Sequence, residues 1–173
     1  IDVLHLFAAT GLLTLAMARL GAAVTHVDAA RPTVAWARRN AERNGLTDRP
    51  IRWIVDDAMG FAERERRRGR RYAGIVLDPP TYGHGARGAS ATWSLERDLA
   101  PLLGVCATLL TDDGFVLLTA HTEGIGMPEL ADALDDAIVG GRRGLLEARD
   151  VDVEAASGAV LALGAAATWD GRS

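Results

Sequence analysis

With 173 residues, 49% of them hydrophobic and 24% charged, the chain is long enough for one domain with a sizeable core and too apolar to be disordered. A net charge of −4 and a pI near 5.5 exclude nucleic-acid binding through bulk charge, while leaving a local basic patch open. The lone cysteine excludes an internal disulfide and a cysteine-rich zinc site, so no metal is expected and a reducing, cytoplasmic setting is the natural reading.

Residues 3–7 form a short apolar run that meets a small-residue turn, Ala8-Ala9-Thr10-Gly11. Leu12, Leu13, Leu15, Ala16, Ala18 and Leu20 then recur at helical spacing until Gly21 ends them. A second strand, 24–28, ends on Asp28, and Pro32 suits the first turn of a helix that stops at Asn44-Gly45. A third strand, 51–55, ends at Asp56-Asp57 and a polar helix follows over 58–68. The fourth strand, 72–77, runs into Asp78-Pro79-Pro80. Beyond a Gly-rich loop come a helix over 95–110, a fifth strand over 115–119 and a helix over 127–139 that Gly140-Gly141 closes. Two weaker strands, 148–154 and 159–168, complete the pattern. Alternating strands and helices predict an α/β fold, doubly wound around a mostly parallel sheet, with the closing pair inserting one antiparallel strand. One domain, 1–173, is expected. Because the chain opens on Ile1-Asp2-Val3-Leu4 inside a strand and without Met, we expect it to be a catalytic core whose substrate-selecting part lies upstream. All 19 basic residues are Arg, a bias that reflects genome composition as much as function.

In open α/β sheets ligands bind outside the carboxyl ends of the strands, so those ends carry the functional reading. The Ala-Ala-Thr-Gly turn lets backbone N–H groups approach a ligand. Asp28, spaced from Gly11 much like the acidic residue of the dinucleotide fingerprint, can accept both hydroxyls of a ribose; as pure structure it would cap the next helix. Asp57 can sit at an adenine edge or cap its own helix. The turn lacks the glycines that a pyrophosphate requires, so an adenosine ligand without phosphates fits better: S-adenosyl-L-methionine. Two prolines after a strand hold a rigid turn whose carbonyls are expected to be free acceptors. There Asp78 can accept from a substrate N–H, and Tyr82 can stack on a planar substrate. As structure alone this is a strand-ending turn.

These motifs resemble the class I S-adenosylmethionine-dependent methyltransferases, most closely the branch that modifies cytosine C5 or guanine N7 of large-subunit ribosomal RNA. The resemblance rests on Leu6-Phe7-Ala8-Ala9-Thr10-Gly11, Val27-Asp28-Ala29, Asp56-Asp57-Ala58 and Leu77-Asp78-Pro79-Pro80-Thr81-Tyr82. It implies a seven-stranded sheet with the last strand antiparallel. It also implies methionine contacts at Phe7, Ala8, Thr10 and Gly11, ribose at Asp28-Ala29, adenine at Asp57-Ala58, and the transferable methyl facing Asp78 and Pro79. On the substrate side it leaves Pro80, Tyr82, His84 and His121, with Arg87 and Trp93 in the same loop region.

Two departures shape the expectation. His5 stands where the family has an acidic or amide residue, and either contacts the cofactor region or is a satisfied buried histidine. Thr122 stands where the C5-cytosine enzymes place the cysteine that adds to the ring, and a hydroxyl is too weak for that step without a strong base. Cys106, inside a helix between Val105 and Ala107, reads as a buried small hydrophobe. The expected reaction is therefore direct attack by a ring or exocyclic nitrogen, or by an oxygen, with a nucleobase in ribosomal RNA attacked at nitrogen favoured; the alternatives are a small molecule or protein amide as acceptor, or a non-catalytic domain that binds the cofactor or RNA. His121 is a candidate second polar contact or a solvent-facing loop residue. The Arg64 to Arg71 run is by default a solvated helix end, with RNA-backbone contact as the sharper alternative.

Overall fold

The computed structural model describes residues 1–83 and 92–173. Strand β1 (Asp2–Leu6) leads to helix α1 (Leu12–Arg19), β2 (Ala23–Asp28), α2 (Arg31–Arg43), β3 (Ile51–Val55), α3 (Ala58–Arg67) and β4 (Tyr72–Leu77). Two two-residue strands, β5 (Tyr82–Gly83) and β6 (Trp93–Ser94), pair with each other. Helix α4 (Leu95–Leu109), β7 (Leu110–Ala120), α5 (Met127–Leu134), β8 (Leu145–Glu154) and β9 (Val160–Asp170) follow. The main sheet has seven strands in the order β3-β2-β1-β4-β7-β9-β8. Neighbours are parallel from β3 through β7, and β9 is antiparallel to both β7 and β8. The doubly wound sheet and its inserted strand are as expected.

Alternation along the strands sorts side chains to the two faces. Leu4 and Leu6 of β1, with Ile75 and Leu77 of β4, pack with Phe61 of α3, Leu102 and Leu103 of α4 and Leu130 of α5. Val3 and Val76 point to the opposite face and meet Ala18 of α1. Helices α1 and α2 join successive parallel neighbours, β1 to β2 and β2 to β3, in one direction along the sheet, and the usual handedness of such crossovers puts them on one face, while α3, α4 and α5 pack on the face of Leu4 and Leu6.

Three boundaries differ from the sequence reading. The fifth long strand starts at Leu110 rather than 115, because the chain enters β-structure beside Tyr72 and the ladder with β4 shifts register between Tyr72 and Gly74. The helix after it widens into a π-helical turn over Asp135–Val139 before Gly140, whose N–H reaches back to the Asp135 carbonyl. Strand β8 starts at Leu145 rather than 148 and β9 ends at Asp170 rather than 168, since the two pair with each other out to Leu145 and Asp170.

The arginine run is absorbed locally. Arg64 pairs with Asp56, Arg66 and Arg67 with Glu63, Arg68 and Arg70 with Glu65, and Arg71 with Asp112. Glu65 is 1% exposed, accepts from Tyr72 Oη at 2.7 Å and from Arg68 Nη1 at 2.8 Å, and also faces Arg52. Burial works to raise the Glu65 carboxyl, but these donors and charges outweigh it and lower it. Burial, reinforced by Glu65, pushes the Tyr72 phenol up to about 12. Among the described residues no helix is long and apolar enough to cross a membrane.

Candidate functional site

The turn after β1 is held in a shape its residues would not adopt alone. Phe7 and Ala9 have φ of 55° and 45°, and Gly11 has φ of 89°. The left-handed region costs non-glycine residues about 1 kcal/mol or more each, so other contacts must hold them there. Those contacts come chiefly from Asp28 at the end of β2. Its Oδ2 accepts from Ala9 N–H and its Oδ1 from Ala30 N–H, both at 2.9 Å. Ala8 N–H donates to the Val27 carbonyl at 3.0 Å, and Asn40 Nδ2 of α2 donates to the Thr10 carbonyl at 3.0 Å. Only glycine fits at position 11, where a Cβ would lie 3.1 Å from that of Ala37. Asp28 is thus not the cap residue of α2, which is Ala30. Each carboxylate oxygen keeps a lone pair for a hydroxyl, so this residue fits a ribose.

Asp57 is the N-cap of α3: its Oδ1 accepts from Gly60 N–H at 2.7 Å. Asp56 is turned away, accepting from Asp57 N–H and from Arg64. Only Oδ2 of Asp57 is left without a hydrogen bond among the described residues. Helix α1 starts without a side-chain cap, leaving its first N–H groups open toward the same edge.

At the end of β4, Asp78 is partly exposed and one of its oxygens is committed. Oδ1 accepts from Thr119 Oγ1 at 2.6 Å and lies 3.3 Å from His121 Nε2. Oδ2 takes no hydrogen bond among the described residues. The Pro80 carbonyl is not free, contrary to expectation: Trp93 Nε1 donates to it at 2.8 Å. The Trp93 ring in turn packs on Phe7, with centroids 4.7 Å apart. The indole therefore joins the turn after β4 to the turn after β1. Thr81 Oγ1 and Thr122 Oγ1 are 2.7 Å apart, so the residue standing at the thiolate position bonds a neighbouring hydroxyl. Tyr82 is 75% exposed beside this edge. His84 and Arg87 lie outside the described residues.

His5 does not face the cleft. It is buried among the residues beneath α1, and the Thr14 hydroxyl lies 2.7 Å from its Nδ1 and 2.9 Å from Nδ1 of His26. Burial, then the charge of His26, lowers the His5 pKa to about 3; burial, then Arg38, lowers that of His26 to about 4. Cys106 is fully buried and its thiol is pushed up to about 12 by that burial, so it is chemically quiet. Thr119, Thr81, Asn40 and the Phe7–Trp93 stack were not read from the sequence. Thr119 was within reach of such a reading, because β7 lies beside β4 and Thr119 stands one step past the residue paired with Leu77.

A parallel sheet with one antiparallel strand inserted between its last two, and ligand-facing groups at the ends of β1, β2 and β4, is the arrangement of class I methyltransferases, and the chain belongs to that S-adenosylmethionine-dependent class. No family model matches the chain. A ribosomal RNA large subunit methyltransferase K/L from Methylococcus capsulatus is 35% identical over 129 residues, covering 74% of this chain and 17% of that protein. The crystal structure of a methyltransferase from Agrobacterium tumefaciens described as SAM-dependent superposes with a TM-score of 0.92 at 32% identity, over 99% of this chain and 56% of that one. A methyltransferase solved with S-adenosylhomocysteine shares the fold, with a TM-score of 0.78 at 22% identity, over 97% of this chain and 44% of that one. The chain thus spans about one sixth of the first relative and little more than half of the first structure. Its cofactor is S-adenosylmethionine.

Proposed function

We propose that this chain methylates a ring or exocyclic nitrogen of a nucleobase in ribosomal RNA. The observation that carries the nitrogen reading is Asp78: one carboxylate oxygen is fixed by the protein and the other is open at the strand end, while a threonine already bonded to Thr81 occupies the thiolate position. S-adenosylmethionine, when bound, supplies an electrophilic methyl group on a sulfonium. Phe7, Ala8, Thr10 and Gly11 hold its methionine part against the open N-terminus of α1. Asp28 and Ala29 hold the ribose, and Asp57 and Ala58 hold the adenine. Asp78 Oδ2 accepts from the acceptor N–H, aligns its lone pair and takes the proton as the nitrogen gains the methyl group. Pro79 keeps the turn rigid. Pro80, Tyr82, His84 and His121 border the acceptor, with the tyrosine ring free to stack on a base. With a charge of −4 on this segment, RNA selection falls to a part of the protein outside residues 1–173, and the cytoplasm is its place of action.

The test is transfer of a labelled methyl group from S-adenosylmethionine to large-subunit ribosomal RNA by the full-length protein, followed by nuclease digestion and nucleoside chromatography. An N-methylated nucleoside is expected. A 5-methylcytosine product would overturn the nitrogen assignment, and label in a metabolite or protein pool but not in RNA would overturn the substrate.

A further inference from the structure

We propose that His121 is a positioning residue for Asp78 and that the projecting end of the β8–β9 hairpin holds it in place; this rests on methyl transfer at this site, though not on what accepts the methyl group. Strand β9 outruns β7. Its ladder with β7 ends at Ala165 opposite Ala120, while residues 160–164 continue past the carboxyl edge of the sheet, paired with β8. At the crossing the β8–β9 register shifts between Val151 and Asp152, and Gly164 adopts φ of 136°. A Cβ there would lie 2.1 Å from the Ala120 carbonyl oxygen, so the close approach requires glycine. The bend aims the Leu163 carbonyl at His121 Nδ1.

A carbonyl oxygen can only accept, so Nδ1 must carry a proton. That choice leaves Nε2 as the atom facing Asp78 Oδ1 at 3.3 Å. A carboxylate oxygen also only accepts, so Nε2 must carry a proton too: the ring makes both contacts at once only as the imidazolium, and Thr119 holds the same oxygen from β7. Two groups on Oδ1 fix the carboxylate plane and leave Oδ2 to the acceptor. His121 then sets the direction of Asp78 without touching the substrate nitrogen. The side chain is 52% exposed, which makes it accessible to substitution with little cost to the core.

Two measurements on the full-length protein test this. The first is the ring ¹⁵N spectrum of His121, assigned by its loss in His121→Gln, which reads the protonation of both ring nitrogens whether or not the RNA substrate is right. At the pH of the transfer measurement both nitrogens should carry a proton; a neutral ring, whichever nitrogen holds its proton, overturns the proposal. Gly164→Ala, which must displace the Leu163 carbonyl, should lower the doubly protonated fraction at that pH. The second is methyl transfer to large-subunit ribosomal RNA. His121→Ala should lower kcat by about tenfold or more with the KM for S-adenosylmethionine unchanged, and His121→Gln, whose amide can still donate to Asp78, should recover several-fold of the loss. An alanine variant with wild-type kcat, or one altered only in cofactor KM, overturns the role. Wild-type protein with both ring nitrogens protonated but no transfer to RNA supports the positioning contact and refutes the RNA substrate.

Discussion

The imidazole rings of His5 and His26 stand edge to face, 6.1 Å apart, with the Thr14 hydroxyl within hydrogen-bond distance of Nδ1 on both. One hydroxyl proton lets Thr14 donate to one ring and accept from the other, so the two Nδ1 atoms must be in opposite protonation states. His26 Nε2 is buried and has no hydrogen-bond partner among the described residues. The pair ties β1 and β2 to the first helical turn behind the cofactor edge, and does so in the neutral form.

That neutrality sets a pH dependence. Both folded-state pKa values, about 3 and about 4, lie below the ordinary 6.5, so the unfolded chain takes up protons first as the pH falls. The stabilisation is complete above 6.5 and is lost progressively as pH falls toward 4 and then 3. Each histidine adds a slope of at most about 1.4 kcal/mol per pH unit within that window. Urea denaturation between pH 7 and 4.5 should show the midpoint falling. His26→Phe should remove one titrating group and flatten the slope; an unchanged slope would show that the His26 ring is not held neutral. Thr14→Val, which leaves two buried rings without their shared partner, should cost about 1–3 kcal/mol at pH 7 by the same measurement.

How far the sequence went is clear from particular residues. The succession of strands and helices followed from apolar runs alternating with helical spacing, and the strand ends placed Asp28, Asp57 and Asp78 on one edge because parallel strands share a direction, whereas the order β3-β2-β1-β4-β7-β9-β8 came from the structure. Whether His5 was a ligand contact or a core residue could not be read, because its partners Thr14 and His26 are distant in sequence and meet it only through β1–β2 pairing and the packing of α1. The Pro80 carbonyl was expected to be free for the same reason: its donor, Trp93, comes from the far side of a loop. Asp57 had two readings, adenine contact and helix cap, and the cap is a local backbone property that the structure displays directly.

Asp28 carries two loads that can be separated. Its carboxylate holds the Ala9 and Ala30 N–H groups, and it is the proposed ribose acceptor. Asp28→Ala should lower stability by about 1–3 kcal/mol in denaturant titration, since two charge-assisted hydrogen bonds to the backbone are lost. It should also weaken S-adenosylmethionine binding by more than about tenfold in calorimetry. Asp28→Asn keeps one acceptor oxygen and should retain much of the stability while losing affinity. Full cofactor affinity in the alanine variant would exclude the ribose contact.

Trp93 joins two turns, stacking on Phe7 while donating to Pro80. Trp93→Phe keeps an aromatic face for Phe7 and removes only the donor, so it should cost about 0.5–1.5 kcal/mol. Trp93→Ala removes both and should cost more, with the loss appearing in methyl transfer as well because the Asp78-Pro79-Pro80 turn loses its brace. Equal stability of the two variants would mean that the stack contributes nothing.

Asp78 is the residue on which the proposed chemistry turns, and its environment separates catalysis from binding. Its Oδ1 is occupied by Thr119 and His121, whereas the turn proposed to hold the methionine part is braced by Asp28 and Asn40 instead. Removing the Asp78 carboxylate therefore leaves that turn intact. Asp78→Ala should abolish methyl transfer in single-turnover measurements while changing S-adenosylmethionine affinity by less than about tenfold, or ~1.4 kcal/mol. Asp78→Asn keeps an acceptor oxygen but cannot take a proton as readily, so it should bind like wild type and transfer slowly. Transfer by the alanine variant at the wild-type rate would remove Asp78 from the reaction, and a collapse of cofactor affinity would move its role from the acceptor to the cofactor.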